Sequence, residues 1–302
     1  MTFPFPDLAR SLKDGAAISA DDVLAVRREV WPDGSISEAE AEALFELNRL
    51  AGDADPAWPD FFLEAICDHL LNARAPKSYI DEAGAAWLIG QIDRGDEAAD
   101  AVELELVVRL LERALNAPDA LKAWALRRTE AAVLDDGRVG DDEAKTLRRI
   151  LFAAGGDGAA VVGQEEAEAL WRIKDATLAA DNAPAWKTLF VQAVGNHLMA
   201  FSSYRPLERA EAQQLEAWAA DHRSSVLGFI ARMRPAGGVG EALRAAFPRE
   251  QSAAEHDAAV DAARAVTPLE RRWLEGHVEA DGARDDYEEA LLAFVAEESA
   301  RP

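Results

Sequence analysis

Two histidines stand at matched places in this chain, and imidazole is the side chain whose charge changes closest to neutral pH. His69 lies in the run Trp58, Phe61, Phe62, Ala65, Ile66, His69 and Leu70, with offsets of 0, 3, 4, 7, 8, 11 and 12. His197 lies in Trp186, Leu189, Phe190, Ala193, Val194, His197 and Leu198, with the same offsets. Such spacing is one continuous face of an α-helix. A histidine on that face could act as a base or a metal ligand inside a pocket. No second histidine or cysteine lies three or four residues from either one, so helix-borne zinc spacing is absent. A core histidine bonded to a backbone carbonyl accounts better for its recurrence on an apolar face, because buried polar groups are nearly always satisfied.

Acidic turns are the next candidates. A calcium loop of the EF-hand kind needs oxygen ligands at positions one, three and five, glycine at six and glutamate at twelve. With Gly34 at six, Asp33 falls at five and Glu40 at twelve, but Glu29 would be position one and Trp31 position three. An indole cannot ligate. With Gly137 at six, Ala132 and Leu134 take the entry positions. Turns followed by helix caps are the stronger reading, since Asp-Gly suits a turn and Ser or Gly suits an N-cap.

Aromatic positions form a third group. Trp58 and Trp186 sit on the helix faces just described, where core packing is the commoner role. Trp31, beside Pro32, is the tryptophan expected to be most exposed, and Tyr79 falls in the loop Ala75-Pro76-Lys77-Ser78-Tyr79. An exposed tryptophan in acidic surroundings suits a partner anchor. Together, Trp31, Trp58, His69, Tyr79, Trp186 and His197 are the partner-binding candidates. Cys67 lies next to the core face and has Gly195 as its counterpart, so a structural role is expected. No phosphate-binding glycine loop, dinucleotide-binding glycine pattern or Gly-x-Ser-x-Gly elbow occurs.

The elements that hold these residues are written twice. Pro56-Ala57-Trp58 opens a stretch that returns as Pro184-Ala185-Trp186, and Glu40-Ala41-Glu42-Ala43-Leu44-Phe45 returns as Glu166-Ala167-Glu168-Ala169-Leu170-Trp171. Internal repeats of this kind govern the architecture. Each copy opens with an acidic turn, Asp14-Gly15 or Asp136-Gly137, and a helix carrying Val23, Val26 and Val30 or Leu147, Ile150 and Leu151. Ser37 three residues before Glu40 gives a capping box. Asp81 is the expected cap of a helix with Trp87, Leu88 and Ile92, and a hydrophobic helix near Val102–Leu115 joins the copies. Arg234 to Gly240 reads as a flexible break. The end of the chain resembles the opening of a third copy, with Glu288 in the place of Glu143, and Leu292 and Val295 in those of Leu147 and Ile150.

The chain has 302 residues and a formal net charge of −24. Acid spread along the whole length repels nucleic-acid phosphates and leaves basic proteins and cations as complementary ligands. One cysteine excludes an intrachain disulfide. The first residues lack a basic segment followed by an apolar core, and no apolar run approaches the roughly 20 residues of a membrane span. A cytoplasmic location without direct membrane insertion is expected.

The pattern Asp33-Gly34-Ser35-Ile36-Ser37-Glu38-Ala39-Glu40, with Asp136-Gly137-Arg138-Val139-Gly140-Asp141-Asp142-Glu143, resembles the tellurite-resistance TerB-like helical domains. That resemblance implies a compact, acidic, non-catalytic helical module tied to metal stress, with divalent-cation affinity at Asp33, Glu38 and Glu40. The Trp-x-x-[Phe/Leu]-Phe…His-Leu helix is not part of that pattern.

The expectation is therefore an all-α protein: copy one over 1–125, copy two over 126–235, a spacer over 236–265 and a partial third copy over 266–302. Its expected function is a non-enzymatic acidic interaction or adaptor module that binds another, basic, protein and needs no cofactor. One alternative is a divalent-metal-binding stress-response protein. A second is an enzyme with a histidine-containing pocket.

Overall fold

Alanine-rich segments with few β-branched residues favour helix, and a computed structural model of the chain is helical throughout its described parts. It describes residues 6–32, 34–52, 54–73, 76–94, 101–153, 162–199, 268–278 and 284–299. Among them there is no strand, only isolated bridges between Ile18 and Ala54 and between Tyr79 and Asn116. The helices are α1 (Pro6–Lys13), α2 (Ala20–Val30), α3 (Glu38–Leu50), α4 (Ala57–Asn72), α5 (Glu82–Ile92) and α6 (Ala101–Arg113). They continue with α7 (Asp119–Asp136), α8 (Asp141–Leu151), α9 (Gln164–Thr177), α10 (Pro184–Met199), α11 (Pro268–Val278) and α12 (Asp286–Ser299). No described helix is long and apolar enough to cross a membrane.

Helix starts are set by side chains the sequence makes easy to find. Ser37 Oγ accepts from Glu40 N at 3.3 Å while Glu40 Oε2 accepts from Ser37 N at 2.8 Å. Ser19 and Asp22 repeat the exchange at α2, and Asp81 Oδ1 accepts from Gly84 N at 2.8 Å at α5. At α8 and α9 the cap residue is glycine, so only half of the box exists. Glu143 Oε2 accepts from Gly140 N and Glu166 Oε2 from Gly163 N, at 3.0 and 2.6 Å. Gly15, Gly34 and Gly137 have φ of 89°, 80° and 68°, a left-handed backbone that glycine adopts without a Cβ penalty.

Positions matched in sequence make matched contacts. Asp55 N donates to Ile18 O, and Ala183 N to Val139 O, both at 2.8 Å. Phe45 meets Phe62 edge to face at 5.1 Å, as Trp171 meets Phe190 at 5.2 Å. The Arg27 guanidinium lies 5.5 Å over Trp31, and that of Arg148 lies 5.6 Å over Phe152. Leu44, Phe45, Leu47, Leu170, Trp171 and Ile173 are all buried.

The expected boundary at 125/126 falls inside α7. The described residues from 6 to 197 cluster as one compact unit. The physical reason lies in two helices that touch both halves. α6 packs on α4 and on α8, and α7 packs on α6, α8 and α9. A second unit contains α11 and α12. Within it, Glu288 Oε2 accepts from Asp285 N at 3.2 Å and Asp285 Oδ1 accepts from Glu288 N at 2.9 Å. Glu288 thus caps α12 as Glu143 caps α8. Leu274, Val278 and Leu291 are buried, whereas Leu292 and Val295 are half-buried. The spacer at 236–265, the flexible break at Arg234–Gly240, and the copy-two stretch from Tyr204 to Trp218 lie outside the described residues.

Candidate functional site

Both histidines are held by backbone. His69, on α4, is 7% exposed and its Nδ1 lies 2.7 Å from Ile36 O. A carbonyl only accepts, so Nδ1 carries the proton and donates. His197 Nδ1 makes the same bond to Val162 O at 3.0 Å. Asn196 Oδ1 accepts from Val162 N at 2.9 Å, so α10 ties down both backbone groups of that residue. Each histidine pins the segment that enters the next capped helix, α3 or α9. These bonds are those of the core-histidine reading.

The tryptophans among the partner-binding candidates differ in exposure. Trp58 and Trp186 are 1% and 0% exposed, so neither ring is available to a docking partner. Burying an indole against neighbouring aromatics is worth more to the core than to a surface, and both rings pack on the phenylalanine four residues on, Phe62 or Phe190. Trp58 Nε1 donates to Asn48 Oδ1 at 3.1 Å. Lys174 stands where Asn48 does in the first half and can only donate. Trp186 Nε1 accordingly has no acceptor. Trp31 is half-buried at the C-terminus of α2, under Arg27, which also pairs with Glu64 at 3.3 Å. Tyr79 is half-buried beside Ser78, whose φ is 66°, and its backbone is bridged to Asn116.

Of the acidic candidates, Glu40 is engaged in the α3 cap. Glu38 opens α3, and Asp33 lies outside the described residues. Among the described residues no three His, Cys, Asp or Glu side chains converge as a metal site. Cys67 is buried, and burial pushes its thiol up to about 11 against the opposing pull of Arg113 and Arg109. A thiol so protonated is a poor nucleophile.

Two charge clusters were not anticipated. Arg149 on α8 grips Glu105 and Glu112 of α6, with bonds of 2.6 to 3.1 Å. Partial burial raises the Glu105 carboxyl, but hydrogen bonds from Arg149 and Arg109 outweigh it and hold it below the usual range. The bonds to Glu112 and Glu105 in turn hold Arg149 above its ordinary range.

The second cluster borders a cleft of about 690 Å³ between α7 and α9. Lys122 Nζ meets Glu166 Oε1 at 2.5 Å, with 12% and 13% of the two side chains exposed. Further along, Arg172 binds Glu130 through both carboxylate oxygens, at 2.6 and 2.9 Å. Ala123, Leu126 and Ala169 line the same cleft. Its charged lining also holds Asp119, Arg127, Glu165 and Glu168, which makes five carboxylates and three cations. On α7 the spacing of Asp119, Lys122, Leu126 and Glu130 marks one helical face, a signal present in the sequence. Which helix that face meets is not. The ion pairs join residues 42 and 44 positions apart.

No family model matches the chain, and neither the curated proteins nor the solved structures contain a match.

Proposed function

We propose that this protein is a non-enzymatic acidic adaptor that binds a basic partner protein. The observation that carries the reading is the net charge of −24 spread along the chain, with five carboxylates against three cations along the cleft between α7 and α9. Among the described residues, His69 and His197 hold backbone carbonyls and Cys67 is buried. The resemblance to TerB-like domains points to the same class of non-catalytic module. Opposite charge across an interface speeds encounter and selects partners more than it adds affinity, so the association is expected to weaken steeply with salt.

The test is saturable binding of the full chain to a panel of folded proteins of basic, neutral and acidic pI, at low and high salt. Binding of defined stoichiometry by basic members alone, lost at high salt, is the expected result. Charge-independent retention, or binding by acidic members, overturns the reading.

A further inference from the structure

We draw no further inference here: the strongest candidate, the surface patch in which Leu115 is 57% exposed beside half-buried Tyr79 and left-handed Ser78, carries nothing because nothing in the structure shows what covers it.

Discussion

Trp58 and Trp186 offer a matched pair of buried indoles that differ in one hydrogen bond. Both indoles are at most 1% exposed, both sit in the first turn of their helices, and their ring centroids lie 6.3 and 6.1 Å from Phe62 and Phe190. Replacing either with phenylalanine removes the same atoms, although Trp58 also packs on Phe61 at 5.9 Å where the second half has Leu189. Trp58→Phe also takes from Asn48 Oδ1 a buried donor at 3.1 Å, while Trp186→Phe removes an N–H that has no acceptor. Losing a buried partner costs about 1–3 kcal/mol, and deleting an unsatisfied buried donor recovers part of a similar penalty. Trp58→Phe is therefore expected to be the more destabilising by at least about 1 kcal/mol. That corresponds to roughly 2–4 °C in melting temperature for a unit of this size. Urea unfolding followed by far-ultraviolet circular dichroism gives the difference directly from the midpoints, provided the slope is unchanged. A double cycle with Asn48→Leu adds a check, because the coupling should appear only with Trp58. Equal losses, or a larger loss for Trp186→Phe, would refute the assignment of the asymmetry to the Asn48 acceptor.

Backbone handedness makes a separate prediction. A Cβ at Gly137 would meet nothing within 4 Å, yet its φ is 68°, so Gly137→Ala should cost about 1–2 kcal/mol from conformation alone. Gly90 is equally open within α5, and Gly90→Ala should stabilise by about 0.5–1 kcal/mol; thermal melts of the two variants should move in opposite directions. For pH, the Glu105 carboxyl is held below its ordinary value of 4.5 in the folded state. Its contribution is present above that value and is lost as pH falls through the folded one. Urea midpoints from pH 7 to 3 should therefore fall less steeply for Glu105→Gln than for the parent. Finally, with its thiol pushed up to about 11, Cys67 should resist a thiol reagent at pH 8 in native protein and react promptly in urea, as mass spectrometry of the adduct would show; rapid native labelling would contradict its burial.

Much of this molecule is legible in its sequence because the signals are local. Helix starts at Ser19, Ser37 and Asp81 follow from a cap and its neighbours within three residues, and α4 follows from apolar offsets within one helix. The place of His69 and His197 on that apolar face is legible, but their backbone acceptors, Ile36 and Val162, are 33 and 35 residues distant. What the spacing of residues leaves open is which faces meet. Helical periodicity states that a face exists but carries no address for its partner, so the grip of α6 on both halves, the Arg149 cluster and the α7–α9 cleft appear only in three dimensions. The same holds for the two buried tryptophans. Sequence gives them identical settings, and only tertiary contact decides that one indole N–H finds Asn48 while the other, with Lys174 in the matching place, finds no acceptor.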